Sequence, residues 1–160
     1  MESMTRAEDV SGELQLVSFS LGEEEYGINI LKVREIDRMM EITRTPEAPP
    51  FVEGVVNLRG KVIPIVDLRG RFGLEGKAHD KNTRIIMVEL AGNVVGFIVD
   101  AVREVLRIKR ELTEPPPTLS SGAQEQYITG IAKLDDRLLI LLDLEKAVEQ
   151  GDLAELPEAA

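Results

Sequence analysis

An internal repeat constrains the fold of this chain more than any other feature. Residues 26–36 match residues 95–105 at an offset of 69, and residues 54–68 match residues 130–144 at an offset of 76. The order of the matched segments is the same in both units, and the longer second unit takes up the difference between residues 115 and 126. The repeat predicts two modules of about 70 residues, each so small that we expect them to pack on each other and leave a groove between them.

The apolar pattern predicts strands. Residues 14–21 place Val17, Phe19 and Leu21 on one face with a period of two, and short apolar runs recur with turn residues between them. Hairpin turns are predicted at Arg59-Gly60, Ala91-Gly92-Asn93 and Asp135-Asp136. Pro64 lies inside a predicted strand, which indicates an edge strand or a bulge because proline cannot donate to a sheet ladder. The predicted fold class is all-β with short helices.

The predicted domain organisation has three parts. Acidic residues gather at the ends, so residues 1–13 and 151–160 are predicted to be flexible acidic tails. Residues 14–150 are predicted to form one domain of two modules, divided roughly into residues 14–80 and 81–150.

Composition excludes several classes of function. The 160-residue chain carries 19 Lys and Arg against 29 Asp and Glu, a net charge of −10, which argues against nucleic acid and anionic lipid as partners. It has no cysteine, so disulfides and thiolate sites are excluded. The sequence shows no signal peptide and no apolar run near the roughly 20 residues that span a bilayer. We expect a cytoplasmic protein without membrane insertion.

The pattern offers no catalytic, metal or cofactor site. No glycine-rich phosphate loop is present, and His79 lies in a polar loop without a partner constellation. Asp67 and Asp143 occupy equivalent points of the repeat, just before a leucine and a predicted helical turn, which favours helix caps over a carboxylate site that also includes Asp100.

Two charged residues have the character of a contact surface. Arg59 is predicted at a hairpin tip, where its guanidinium is exposed and able to make planar, multidentate contacts with a partner. Glu35 and Val33 should share one face of an alternating strand, opposite Arg34 and Ile36, and so form a half-polar surface. A simply solvated hairpin tip and strand face remains the alternative.

Three segments, in order, resemble the CheW family of chemotaxis coupling proteins. These are residues 21–36, residues 54–69 with the sequence GVVNLRGKVIPIVDLR, and the closing hairpin of residues 130–143. The resemblance extends over residues 14–148 and implies two five-stranded SH3-like β-barrels packed together. It also implies two partners: the regulatory domain of the CheA histidine kinase and the cytoplasmic tip of methyl-accepting chemotaxis receptors.

The resemblance implies a non-enzymatic adaptor that couples these receptors to the kinase, recruited from the cytoplasm to receptor arrays. The residues expected to bind the receptor are Val33, Glu35, Gly54, Arg59 and Val102, and the kinase-binding residues are unassigned. No cofactor is implied, and ring assembly with kinase regulatory domains is left open. The alternatives are a free-standing regulatory domain of a CheA-like kinase or CheV-like protein, and an enzyme with an unrecognised site between the modules.

Overall fold

A computed structural model describes residues 12–44, 46, 52–116 and 127–147. The described residues form eleven strands, two single-turn 3-10 helices at Ile30–Lys32 and Arg110–Leu112, and two short α-helices. The strands are β1 (Glu13–Leu21), β2 (Glu24–Asn29), β3 (Val33–Arg38), β4 (Val52–Leu58), β5 (Lys61–Asp67), β6 (Arg84–Leu90), β7 (Asn93–Val99), β8 (Ala101–Lys109), β9 (Thr113–Glu114), β10 (Ile128–Lys133) and β11 (Leu138–Leu142). The helices are α1 (Leu68–Arg71) and α2 (Leu144–Ala147).

The strands form two sheets, and the predicted mainly-β class is confirmed. One sheet has six strands in the order β8-β1-β2-β11-β10-β9, and the other has five in the order β3-β6-β7-β5-β4. Strands β8 and β9 form opposite edges of the six-stranded sheet, separated along the chain only by the turn at Arg110–Leu112. Strand β9 is therefore a bent continuation of β8. It pairs with β10 at the edge of the six-stranded sheet that lies opposite β8.

The two sheets exchange hairpins between the halves of the repeat. The β1–β2 hairpin pairs with β8 and β11 from the second half of the chain, and the β6–β7 hairpin pairs with β3 and β5 from the first half. A division of the chain near residue 80 therefore does not separate the two sheets. The predicted tails lie outside the described residues, apart from Gly12 and Glu13, the residue at which β1 begins. The domain boundaries stay a prediction.

Three apolar clusters stabilise this arrangement. One cluster belongs to the five-stranded sheet and includes Ile65, Ile85 and Met87. Another belongs to the six-stranded sheet and includes Leu139 and Ala132. The largest lies between the sheets and takes residues from both. It contains a row of four aromatic rings, Phe19, Tyr26, Phe72 and Tyr127, with neighbouring centroids 5.8, 5.8 and 5.6 Å apart. Most of the large side chains are thus buried where the sheets meet, which favours one packed unit.

Backbone conformation explains the hairpins that the sequence predicts. Arg59 and Gly60 have φ values of 52° and 86°, and Ala91 and Gly92 have 49° and 84°. Two consecutive positive φ values are typical of the type I′ turn, whose twist matches that of the flanking strands. Asn57 strengthens the first turn, because its Oδ1 accepts a hydrogen bond of 2.9 Å from the backbone N–H of Gly60.

The expectation that Pro64 marks an edge strand is wrong. Strand β5 lies between β7 and β4, so both of its sides are paired. The ladder with β7 begins at Ile65, one residue after the proline, and the missing N–H of Pro64 therefore costs that ladder no hydrogen bond. The nearby register irregularity is on the partner strand, between Val52 and Gly54.

The three aspartates do not meet in one site. Asp67 and Asp143 are caps as predicted, because their Oδ1 atoms accept the N–H groups of Arg69 and Glu145 at 3.1 and 3.0 Å. Asp100 lies between the sheets instead. Its carboxylate accepts Nε and Nη2 of Arg69 at 2.9 Å each, and the N–H of Gly22 at 2.7 Å. This pair connects α1 to the β1–β2 turn of the other sheet.

Candidate functional site

A charged pair at the hairpin tip of the five-stranded sheet joins two residues that the sequence singles out. Arg59 lies at the tip of the β4–β5 hairpin with a side chain that is 70 % exposed, and its Nη2 donates a hydrogen bond to Oε1 of Glu35 on β3. The bond to Arg59 lowers the pKa of Glu35, and the same bond raises the pKa of Arg59. Strands β3 and β4 are opposite edges of the sheet, so this pair forms where the curled sheet brings its edges together.

A third charged residue, which sequence reasoning missed, completes the cluster. The carboxyl of Asp37 lies within hydrogen-bonding reach of Glu35, and burial together with that neighbouring carboxylate raises the pKa of Asp37 to about 6. The signal was present in the sequence, because residues i and i+2 of a strand project to the same face. We name Glu35, Asp37 and Arg59 the carboxylate–arginine cluster.

A bulge in β3 corrects the prediction that Val33 and Glu35 share a face. Val33 is paired with Val88 and Glu35 with Met87, so one residue between them, Arg34, has no partner in the register. Val88 belongs to the cluster between the sheets, against which Val33 also packs, whereas Met87 belongs to the interior of the five-stranded sheet. An extra residue reverses the alternation of a strand, and the two side chains therefore project to opposite sides.

The remaining predicted residues fall into two places. Val102, on β8, packs against the same inter-sheet cluster as Val33. Gly54 lies on β4, where the neighbouring residue Val55 exchanges two backbone hydrogen bonds of 2.8 Å with Thr43. The structure thus brings Arg59 and Glu35 into contact and sets Val33 and Val102 against one cluster, while Gly54 is in tight contact with the segment that follows β3.

An open groove adjoins the carboxylate–arginine cluster. Its volume is about 320 Å³, and its apolar floor consists of Leu58, Ile63, Met87 and Val94. Arg34, Glu35, Arg59 and Lys61 form its rim. Two further carboxylates lie beside this rim, because Asp37 neighbours Glu35 and Glu89 pairs with Arg34 at 3.2 Å, so its three cations are balanced by three carboxylates. An apolar floor with a charged rim suits a protein partner better than a small polar substrate.

A second groove lies between the two sheets. It has a volume of about 440 Å³, and its apolar lining includes Ile28, Val88, Leu90, Leu142 and Leu144. None of the five predicted receptor-binding residues is in this lining. The sheets are not the two sequence modules, so the groove expected between those modules stays a prediction.

Neither a metal-binding cluster nor a membrane-spanning helix is found in the part of the chain that the structure describes. Within residues 12–44, 46, 52–116 and 127–147, no group of three or more His, Asp or Glu side chains could hold a metal ion. No helix among these residues is long and apolar enough to cross a membrane.

Comparison with protein families is decisive. The model of the CheW-like domain matches residues 15–151, nearly the whole chain. The chain belongs to the CheW family.

Individual relatives of this CheW-family chain agree. It is 41 % identical to the chemotaxis protein CheW of Klebsiella aerogenes over 140 residues, which are 88 % of this chain and 84 % of that protein. It is 40 % identical to CheW of Helicobacter pylori, covering 91 % of this chain and 88 % of the other. The crystal structure of the scaffolding protein TtCheW from Thermoanaerobacter tengcongensis superimposes with a TM-score of 0.81 at 42 % identity, covering 91 % of this chain and 98 % of that one.

Gly54 is the predicted site residue of this CheW-family chain whose backbone tolerates substitution least. Its φ is +155°, and a Cβ built there would lie 2.2 Å from the carbonyl oxygen of Thr43. We expect Gly54→Ala to lower the free energy of unfolding by about 1 to 3 kcal/mol, because the β4 backbone must retreat from Thr43. Chemical denaturation measures this loss.

Gly76→Ala is the matched control, because its φ is ordinary and no atom lies within 4 Å of the added Cβ. It should shift the midpoint by less than a third of the Gly54 effect. Equal stability of the two variants would contradict the close approach of β4 to Thr43.

Proposed function

We propose that this chain is a non-enzymatic adaptor that couples methyl-accepting chemotaxis receptors to the CheA histidine kinase. It would act in the cytoplasm, at arrays of membrane-bound receptors. The observation that carries the proposal is an exposed arginine on a hairpin tip, paired with a glutamate beside an apolar groove, in a chain of the CheW family. Such a surface suits recognition of a protein helix and offers no nucleophile–base pair for catalysis.

The receptor is proposed to lie across the five-stranded sheet and the neighbouring edge of β8. A receptor helix would place apolar side chains against Leu58 and Val94 at the groove. Val33 and Val102, which pack against the inter-sheet cluster, would meet the receptor on the other side of β3. Arg59 would contact a polar or acidic group of that helix, since a guanidinium makes planar, multidentate hydrogen bonds. Gly54 would keep the backbone of β4 close to Thr43 and so fix the height of the hairpin.

Coupling is proposed to work through geometry. The two sheets share an apolar cluster, a row of aromatic rings and the Arg69–Asp100 pair, so they should move together as one body. A kinase regulatory domain held on a second, unassigned surface would then take its orientation from the receptor. Since a receptor shift changes which kinase arrangement is favoured, the adaptor needs no chemistry of its own.

Arg59→Ala should weaken receptor binding by about 1 to 3 kcal/mol, roughly a five- to 150-fold loss of affinity, because it removes an interface charge. Glu35→Lys should have a similar effect, since it places two cations side by side. The side chain of Arg59 is 70 % exposed, so Arg59→Ala should change the free energy of unfolding by no more than roughly 0.5 kcal/mol. Calorimetric titration against a soluble fragment that contains the membrane-distal receptor tip measures the affinity, and thermal unfolding measures the stability.

Lys133→Ala is the matched control, because Lys133 forms an exposed ion pair with Glu114 at 2.7 Å on the six-stranded sheet. This variant should bind the receptor fragment like the parent protein, and Arg59→Ala should still bind the kinase regulatory domain. Unchanged receptor affinity of Arg59→Ala would remove the surface from the proposal. Loss of the melting transition together with both interactions would make Arg59 a structural residue instead.

A further inference from the structure

Two carboxylates of the cluster compete for one guanidinium. Glu35 accepts the hydrogen bond of Arg59, and Asp37 lies against Glu35 on the same face of β3. The Oδ2 atom of Asp37 is buried, and no donor among the described residues reaches it. A carboxylate only accepts hydrogen bonds, whereas a protonated carboxyl group has one O–H to donate. A proton shared between the two side chains would therefore supply the missing donor.

The surroundings offer no obvious second cation for Asp37. Across the β3–β6 ladder, Asp37 is paired with Ile85 and Glu35 with Met87, both fully buried and apolar. The charges that act on the pKa of Asp37 are those of Glu35, which raises it, and Arg59, which lowers it. The other ionisable groups of β3 and of the neighbouring segments do not act on this pKa. They are Arg34 and Arg38 on β3, Arg84 and Glu89 on β6, Lys61 and Asp67 on β5, Glu53 on β4, and Glu41 and Arg44 after β3.

Burial and the two interactions with Glu35 outweigh the charge of Arg59, and together they raise the pKa of Asp37 to about 6. The pKa of Glu35 is lowered, chiefly by the bond from Arg59. The shared proton therefore belongs to Asp37 below about pH 6. Above that pH the cluster carries one net negative charge, and the two carboxylates repel each other.

We infer that Asp37 is a positioning residue for the Glu35–Arg59 contact, and that a receptor docking on this cluster takes up a proton there. This inference rests on the proposed receptor surface. A partner helix that covers the cluster excludes water, and burying two adjacent carboxylates with one cation costs more than burying the protonated pair. Protonated Asp37 donates to Glu35 and holds its other oxygen against Arg59.

Proton uptake makes the receptor affinity depend on pH in a defined direction. By linkage, a group that holds its proton more tightly in the complex weakens binding as the pH rises through its free pKa. We expect the affinity to fall by about tenfold between pH 5.5 and pH 7.5, which corresponds to a pKa rise of at least one unit in the complex.

Asp37→Asn separates this role from a purely structural one. The asparagine amide donates a hydrogen bond to Glu35 at every pH, as the protonated aspartate does. The variant should bind the receptor-tip fragment at about pH 7.5 as tightly as the parent protein does at about pH 5.5, with no pH dependence left. Glu41→Gln removes an exposed negative charge four residues after Asp37 and should keep the parent pH profile.

The measurements are calorimetric titration at several pH values, in buffers of different ionisation enthalpy, and a carbon-13 titration of the Asp37 carboxyl in the free protein. A pH profile that Asp37→Asn leaves unchanged, or proton release on binding, overturns the inference while the receptor surface stands. Absence of receptor binding at every pH instead contradicts the proposed function. Titration of Asp37 near its ordinary value of about 4 in the free protein overturns the inference even if the variant does not fold.

Discussion

Asp100→Ala should lower the free energy of unfolding by about 3 to 5 kcal/mol, because the guanidinium of Arg69 loses its carboxylate partner and keeps the bond from Nη1 to the carbonyl oxygen of Glu75. The side chains of Arg69 and Asp100 are only 16 % and 13 % exposed, and they make two hydrogen bonds of 2.9 Å. The N–H of Gly22 also loses its acceptor. Domains of this size are stable by about 5 to 15 kcal/mol, so the loss is a large fraction of the total.

The same variant should lower the melting temperature by about 6 to 20 °C, at roughly 2 to 4 °C for each kcal/mol. Glu89→Ala is the matched control, because it removes the acidic partner of Arg34 from a pair whose side chains are 57 % and 48 % exposed. That pair should contribute about 0 to 1 kcal/mol. Differential scanning calorimetry of both variants decides the matter, and equal melting temperatures would show that the Arg69–Asp100 pair contributes nothing to the joint between the sheets.

The contribution of the Arg69–Asp100 pair to stability should decrease in acid. Burial alone would raise the pKa of Asp100, but the hydrogen bonds from Arg69 and Gly22 outweigh it and lower the pKa below its ordinary value. A carboxyl whose folded pKa is depressed stabilises the protein above its unfolded pKa of about 4, and this contribution is lost as the pH falls through the folded value. The difference in stability between the parent protein and Asp100→Ala should therefore shrink in acid.

Local features of the fold followed from the sequence because their causes are local. The turns at Arg59-Gly60 and Ala91-Gly92 need two residues with positive φ, and the caps at Asp67 and Asp143 need only an oxygen two residues before an unpaired N–H. Each of these structures is determined by a few neighbouring residues.

Features that depend on distant partners did not follow in the same way. Asp100 had no role assigned from the sequence, because its partner Arg69 lies 31 residues away. Pro64 indicated an edge strand or a bulge, and only the pairing of β5 with β7 shows that the ladder begins one residue later. The repeat identified equivalent strands correctly, yet sequence similarity does not say with which copy a strand pairs, so the exchange of hairpins was invisible.

The candidate site could be predicted only in part, because some of its features are local and others depend on distant residues. The sequence predicted accessible positions for Arg59 and Glu35, since a hairpin tip and a half-polar strand face are local features. Their ion pair was not predicted, because it forms only where the sheet brings β3 to the β4–β5 hairpin. The bulge in β3, which separates Val33 from Glu35, has no signature in the alternating pattern of the strand itself.

Leu141→Asp should abolish folding of the whole described domain and not of the second half alone. Leu141 is 8 % exposed and belongs to the apolar cluster of the six-stranded sheet. An unpaired carboxylate there costs several kcal/mol or more, comparable with the total stability of a domain of this size. Strand β11 lies between β10 and β2, so its loss also removes the partner of a hairpin from the first half of the chain.

Leu138→Asp, on the same strand, is the matched control, because Leu138 is 58 % exposed. It should change the free energy of unfolding by no more than about 0.5 kcal/mol. Circular dichroism reports folding, and hydrogen exchange followed by mass spectrometry reports where protection is lost. Strands β1 and β2 pair with β8 and β11, and they share the inter-sheet cluster with β6 and β7. Peptides from β4 and β5 should therefore lose protection together with those from β10 and β11. Protection that survives in residues 52–67 of Leu141→Asp would show instead that the five-stranded sheet folds by itself, and that the two halves of this adaptor fold are independent modules.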